Sequence, residues 1–430
     1  MARNSHRTYE IRCPVYGFIK LDDWERKIIS QPAFQRLRRI RQLSWTDYVY
    51  PGAMHTRFEH SLGVMHMATM LYDSVVDRSG EILEKELGYN NDGLRRHRKL
   101  VRLAALLHDV GHSPFSHAAE ELFPFRDDAP NERYQHEHYS AEIVRHEFSD
   151  VIKNHSLNRN YGFSADDVAN LLEGSVDARE ALFWRDLISS QLDADRMDYL
   201  LRDSLHSGVD YGKYDWHRLV HTVTAIPSTE DGGTRLGVTE GGWHAAEGLI
   251  IARYFMFTQV YFHKTRVILD YHLKQALANM LPNGTFPKPV GHELNDYLEW
   301  DDWCVLGKLK NGEGGEDGER LRKRDPYREI TSTLETPDEK ELDKLASWEK
   351  TLGNLIATKI TAEKSWYKLG VTDIPVLAEG PEKCVKVLSE LSSVVSNIKT
   401  VQQIRLYARP SDVEKARNLI GQARGDQNER

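Results

Sequence analysis

The run Val101-Arg102-Leu103-Ala104-Ala105-Leu106-Leu107 is followed at once by His108-Asp109, an imidazole beside a carboxylate. Lone His60 upstream and lone Asp195 downstream supply the same two kinds of donor. The four side chains could close around one divalent cation. The apolar run reads as a buried helix, and a carboxylate at its end costs several kcal/mol unless a cation or hydrogen bonds compensate. Imidazole nitrogen with carboxylate oxygen suits Mn²⁺, Fe²⁺, Ni²⁺, Co²⁺ or Zn²⁺, and an all-oxygen Mg²⁺ or Ca²⁺ site less well. Spacing alone does not choose among these metals. Four protein ligands leave octahedral positions for water and a substrate oxygen, so the ion could acidify water or polarise a phosphoryl group.

Nine of the 19 histidines fall between His55 and His138. His66 and His97 read as ordinary core or surface residues, whereas His112, His117 and His136 join His60 and His108 as candidates for chemistry. Asp195, Tyr199 and Asp203 are spaced i, i+4, i+8 and share one helix face, while Asp193 and Asp198 are expected to point elsewhere. Leu192, Leu200 and Leu201 between them predict a largely buried helix. Arg57 lies three residues before His60, and Arg196 is next to Asp195. Two guanidinium groups tied to two ligands suit phosphate oxygens.

These residues must be positioned mainly by helices. Apolar periodicity predicts helices from Asp22 to Ile29, Ala33 to Gln42, His60 to Val76, Arg98 to Leu107, His138 to Phe148, Ala165 to Leu172, Asp186 to Ser204 and Trp243 to Leu281. Strand signals are short: Thr8 to Cys13, and Arg235 to Thr239 in a hairpin turning at Gly232-Gly233. Asn311 to Gly318 reads as a mobile Gly-rich loop, followed by a charged helix from Asp338 to Leu352. From Ile374, the apolar runs Pro375-Val376-Leu377 and Gln403 to Tyr407 alternate with predicted helices Pro381 to Val395 and Ser411 to Ala423. The expected division is therefore a core over 1–290, a helical extension over 291–373 and a small α+β unit over 374–430, ending in a frayed tail from Gly425. The fold class expected is mainly α.

The formal charge of -8 on 430 residues argues against a general polyanion binder, so nucleic-acid binding is not expected. Cys13, Cys304 and Cys384 form no CxxC pair and no disulfide framework. No apolar run approaches the roughly 18 residues of a membrane helix, and the first residues carry no signal-peptide pattern. A soluble, cytoplasmic protein is expected.

The ordered blocks Arg57-Phe58-Glu59-His60-Ser61-Leu62-Gly63-Val64, His108 to His117, His136-Glu137, Asp195-Arg196-Met197-Asp198-Tyr199 and Met256 to Lys264 resemble the HD-domain deoxynucleoside triphosphate triphosphohydrolases. The resemblance runs over about residues 8 to 275. It implies an HD-type helical phosphohydrolase core, with His60, His108, Asp109 and Asp195 as metal ligands. It implies that Arg57, His112, His117, Arg196 and Tyr199 meet the triphosphate of a dNTP substrate. His117 and His136 match histidines at the α-phosphate, His117 being the proton-transfer residue, with Glu120 as its acidic partner. Gln42-Leu43 matches a pair against the deoxyribose, and Asp203 a carboxylate at the 3'-hydroxyl. The family also implies homo-oligomers, dimers or tetramers, with allosteric nucleotides at their interfaces. Here Ser30 stands where an Asp reads an activating guanine nucleotide, although Gln35 and Arg38 are retained, and Cys13-Pro14 replaces Asp-Pro. Guanine-nucleotide activation of the usual kind is therefore not expected. Ser44-Trp45-Thr46 replaces a Gly-rich stretch and would reshape the base or sugar pocket.

The activity implied is hydrolysis of a dNTP to a deoxynucleoside and inorganic triphosphate. The same metal residues would also serve an HD-type phosphodiesterase, nucleotidase or nuclease, which releases a monophosphate or cuts single strands. A nucleotide-sensing module with vestigial chemistry is the third reading, disfavoured because every proposed ligand is present.

Overall fold

The computed structural model describes residues 8–175, 183–227, 233–362, 367, 372–378 and 384–428, with side chains through residue 422. Its architecture is mainly α, with small sheets at the edges.

The chain opens on an antiparallel hairpin, β1 (Tyr9–Cys13) with β2 (Gly17–Leu21), turned by Gly17 at φ 79°. Helix α1 (Asp23–Ile29) follows, its first turn closed by reciprocal hydrogen bonds between Asp22 and Glu25. The expected helix over 33–42 is shorter. Pro32–Gln35 is α-helical, Arg36–Arg39 is a 3-10 turn, and Gln42 lies in the loop beyond, where its N–H donates to the His55 carbonyl. This places Gln42 and Leu43 on an irregular wall rather than a helix face.

Two long helices form the centre. Helix α2 (Arg57–Lys85) and helix α3 (Asn91–Leu107) both begin earlier than their apolar stripes suggested. In α3, Leu103 to Leu107 are fully buried. Helix α4 (His136–Glu147) packs on the helix Ala165–Glu173, which lies against α3, and α5 (Ala194–Ser207) packs against α2. The predicted helix from Asp186 does not run unbroken. Asp193 caps α5 by accepting the Arg196 N–H, so the helix starts just before the candidate ligand Asp195.

The expected continuous helix over 243–281 is interrupted. Helix α6 (Trp243–Met256) passes into one π turn, Phe257–Tyr261, and α7 (Lys264–Met280) restarts under a His263 cap. Hydrophobic periodicity does not register a π turn, because the apolar residues continue through it.

The sheets cross the expected boundaries. Strands β3 (Val223–Pro227) and β4 (Thr234–Thr239) form the predicted hairpin, although Gly232 of its turn lies outside the described residues. The region expected to be purely helical contributes β5 (Arg328–Ser332) and β6 (Thr358–Thr361). From the last segment, β7 (Pro375–Leu377) pairs parallel to β4, β8 (Val385–Val387) pairs with β7, and β9 (Ile404–Ala408) lies between β5 and β6. Residues 374–430 therefore complete sheets begun in both earlier segments instead of forming a layer of their own. The helix expected over 381–395 is β8 plus two short turns, Leu388–Leu391 and Ser393–Ser396, with residues 381–383 outside the described set. The C-terminal helix runs from Val413 to Asn428, past the expected fraying point at Gly425.

The Gly-rich stretch is also more ordered than its composition suggests. Helix α8 (Asp302–Lys310) leads into it, and Gly315 begins α9 (Gly315–Lys323). A Cβ on Gly314 would overlap Met280 and Ala276, and one on Gly318 the Glu313 carbonyl. These glycines serve close packing, not mobility.

Among the described residues, no helix is long and apolar enough to cross a membrane, and all three cysteines are free.

Candidate active site

Helix α2 starts at Arg57, which puts Arg57 and His60 on neighbouring positions of its first turns. His108 caps α3, and Asp109 opens the turn that leads to His117. Asp195 lies in the first turn of α5. The three helices meet at one point. His60 Nε2 is 3.0 Å from Asp195 Oδ1 and 3.5 Å from Asp109 Oδ2. His108 Nε2 is 3.2 Å from Asp109 Oδ1 and 3.7 Å from Asp195 Oδ1.

The imidazoles are held from behind. Nδ1 of His60 donates to Asp198 Oδ2 at 2.8 Å, and Asp198 is gripped by Arg202 through two 2.8 Å bonds. Nδ1 of His108 donates to the Ala105 carbonyl at 2.8 Å. Both rings turn Nε2 toward the two carboxylates, and with Nδ1 committed to Asp198 or to Ala105 it is Nε2 that would ligate a metal. His108 Nε2 is buried and has no hydrogen-bond partner. Nitrogen and oxygen donors within 4.8 Å of each other, one of them an orphaned buried nitrogen, fit a divalent transition metal. Sequence reasoning placed Asp198 away from the site. It stands behind His60, and Gly63 makes room for it, since a Cβ there would overlap both Asp198 and Arg202.

The local field calls for positive charge. Burial opposes a charged His60, yet the hydrogen bonds it donates to the Asp195 and Asp198 carboxylates raise it to about 10. Burial would raise Asp109, but Arg57, His108 and His112 hold it well below the usual carboxylate range. His108 and His60 likewise overcome burial at Asp195.

A second group lies beside the first. Glu120 Oε1 accepts from His136 Nδ1 at 2.8 Å, and Glu120 Oε2 is 2.9 Å from His117 Nδ1. Burial would raise Glu120, but the two histidines keep it ionised well below its ordinary value. Burial lowers His136, and Glu120 and Glu137 outweigh it, lifting the imidazole to about 9. His112, buried against Arg57 and His136, is pushed well below 6.5 and stays neutral. The His112 and His136 rings stack at 3.9 Å with an 18° angle. Rings so nearly parallel cannot both aim an in-plane lone pair at one ion. The group joins two imidazoles through one carboxylate, an arrangement that can move a proton.

Both groups open into one cavity of about 570 Å³. Gln42, Leu43, Arg57, His108, Asp109, His112, His117, Glu120, His136, Asp195, Arg196, Tyr199 and Asp203 line it, and His60 is buried beneath. Arg57 is already engaged, donating to Asp109 Oδ2 at 2.6 Å and to Ser116 Oγ at 2.9 Å. Arg196 is ion-paired with Asp193, which also lines the cavity, contrary to its expected outward position. Asp203 accepts from Tyr261 Oη at 2.6 Å, and its other oxygen is 2.7 Å from His55 Nε2.

The sequence reading did not assign roles to Arg253, Tyr261, Arg266 or His55. Arg253 donates to Gln191 at 3.0 Å and lies near Tyr199 and Arg196. Tyr261 and Arg266 reach the cavity only because of the π turn, which periodicity missed. The Asp198–Arg202 pair was readable in principle as an i, i+4 ion pair on a buried helix.

The HD domain family matches residues 57–203, and the HD associated region matches residues 214–420. An uncharacterized protein of Methanocaldococcus jannaschii is 30% identical over 429 residues, covering 95% of this chain and 80% of that protein. The deoxynucleoside triphosphate triphosphohydrolase SAMHD1 of Gallus gallus is 33% identical over 228 residues, 48% of this chain and 35% of that protein. The chain thus spans about a third of that relative's length. A crystal structure of a hypothetical protein from Aquifex aeolicus superposes with a TM-score of 0.78 at 31% identity, covering 96% of this chain and all of that one.

Proposed function

From the premise that this chain belongs to the HD-domain phosphohydrolase family, we propose that it hydrolyses deoxynucleoside triphosphates to deoxynucleoside and inorganic triphosphate. The observation that carries the proposal is the joining, at one cavity, of the His60–His108–Asp109–Asp195 group with the Glu120 relay and four arginines. The similarity to SAMHD1 over half the chain supports the substrate class.

His60, His108, Asp109 and Asp195 would hold the divalent cation. When bound, it supplies a Lewis acid for a phosphate oxygen and for water. Arg196, Arg253 and Tyr199 stand where a triphosphate needs neutralisation and donors. Glu120 holds His117 through Nδ1, leaving Nε2 to give a proton to the departing 5'-oxygen or to take one from water. Protonated His136 adds positive charge beside the same phosphate. Asp203, fixed by Tyr261 and His55, is a hydrogen-bond acceptor for a sugar hydroxyl, with Gln42 and Leu43 on the opposite wall. Cytoplasmic location, homo-oligomeric assembly and an allosteric nucleotide belong to the same reading.

Incubation with each dNTP and Mn²⁺ or Mg²⁺, followed by anion-exchange separation, tests it. Deoxynucleoside plus triphosphate is expected. Deoxynucleoside monophosphate plus pyrophosphate, or no turnover of any dNTP, refutes it.

A further inference from the structure

We propose that Arg266 reads the nucleotide base and that the site favours guanine, an inference that rests on the dNTP reading above. Helix α5 carries Asp195 at the metal end and Asp203 eight residues later, about 12 Å along the axis at 1.5 Å per residue. Asp203 binds Tyr261 through its hydroxyl, and the Tyr261 carbonyl accepts from Arg266 Nη1 at 3.0 Å. Arg266 also lines the cavity, and this chain of contacts reaches it from Asp203 rather than from the metal residues. A nucleotide with its phosphates at the metal and its sugar at Asp203 turns its base toward Arg266.

The guanidinium is poorly satisfied where it stands. Its side chain is 12% exposed, and Nε is buried without a hydrogen-bond partner. The nearest carboxylate oxygen, Asp270 Oδ2, is 3.4 Å away. Asp270 cannot come closer freely, because Oδ1 is held by the Ser44 hydroxyl at 2.6 Å. Ser44 itself sits in a left-handed conformation, φ 49°, within the Ser44-Trp45-Thr46 stretch that distinguishes this sequence. Asp270 thus supplies the counter-charge and orients the fork without saturating it. A buried donor left short of a partner costs free energy that a ligand acceptor would recover.

The chemistry of the fork selects the acceptor. A guanidinium carries five N–H donors and no acceptor. Guanine offers O6 and N7 together, the pair an arginine takes bidentately. Thymine offers O4 alone, while adenine N6 and cytosine N4 place a donor against a donor. The expected order is guanine, then thymine, then adenine and cytosine.

The test uses the full-length, metal-loaded protein. It compares kcat/KM for the four dNTPs, and Kd for dGTP and dATP in Ca²⁺, where binding is read without turnover. Wild type is expected to prefer dGTP over dATP by about tenfold or more in both measures. Arg266→Gln is expected to bring that ratio within about twofold, and Arg266→Lys, which keeps the charge without the fork, to lower it at least about threefold. A wild-type ratio near one, or variants that keep the wild-type ratio, overturns the proposal. Guanine-selective binding without triphosphate formation would remove the dNTP hydrolysis reading and leave Arg266 as the base reader. Triphosphate formation without base preference would do the reverse.

Discussion

At the scale of single residues, the site is governed by what stands behind each reactive atom. Asp198 faces no cavity, yet it fixes the His60 tautomer. Replacing such a partner lowers metal affinity by about 10- to 100-fold. Asp198→Asn is expected to do so in a metal titration while the far-UV spectrum stays native, and an unchanged affinity would contradict this role. Glu120 acts likewise on His136. With Glu120 present, His136 is protonated up to about pH 9, so activity that needs the imidazolium falls as pH rises through that value. In Glu120→Gln, burial prevails, and the falling limb of the kcat/KM profile should move to lower pH. Identical limbs in both proteins would exclude a protonated His136 from the rate. The convergence of His60, His108, Asp109 and Asp195 was legible from sequence because His-Asp after an apolar run is expensive without a compensating partner. The role of Asp198 behind His60 was not, because its ion pair with Arg202 is local but its contact with His60 comes from another helix.

At the scale of elements, the turn between Asp109 and His117 is clamped from a distant segment. Phe115 and Ser116 both adopt left-handed backbone, with φ of 57° and 59°. Asp302, in the first turn of α8, accepts the Phe115 N–H at 2.7 Å and the Arg41 N–H at 2.9 Å. It therefore ties the His117 turn to the Gln42-Leu43 wall. Asp302→Ala leaves two buried amides unpaired, at about 1–3 kcal/mol each. The expected result is a lower melting temperature and a lower kcat, with metal content largely kept because His60, His108 and Asp195 sit on helices α2, α3 and α5 rather than in the turn. Wild-type kcat in a folded Asp302→Ala protein would refute the clamp. Helix identities were readable from period alone, but boundaries were not. Caps such as Asp193 and the π turn at Phe257–Tyr261 interrupt the backbone without interrupting the apolar pattern.

At the scale of the whole molecule, one buried charge cluster joins the N-terminal segment to the central helices. Glu25 bonds Lys99 at 2.6 Å and Arg102 at 2.7 Å, and burial, which would raise it, is overcome so that it titrates at about 2. A depressed carboxylate contributes stability above its unfolded value near 4.5, and that contribution is lost as pH falls toward 2. Glu25→Gln leaves Lys99 with Asp22 alone and takes the buried carboxylate from Arg102, and should cost up to about 3–5 kcal/mol at neutral pH. The gap between variant and wild type should narrow on acidification, as thermal unfolding from pH 7 to pH 2 would show. A constant gap would mean the cluster is not the cause. The mainly α class was legible in the sequence, whereas the sheets that join segments across residues 290 and 373 were not, since strand pairing over such separations leaves no local mark. The position of β9 has a consequence for biosynthesis. Neither β5 nor β6 has its sheet neighbour until Ala408 leaves the ribosome, on the order of 4 to 15 s after β5 at ordinary elongation rates. From the same strand, Arg405 and Tyr407 reach the Phe262 and Lys264 carbonyls just past the π turn. The nascent chain thus carries all four candidate metal residues long before the wall holding Tyr261 and Arg266 is braced, so the cavity is among the last features that translation completes.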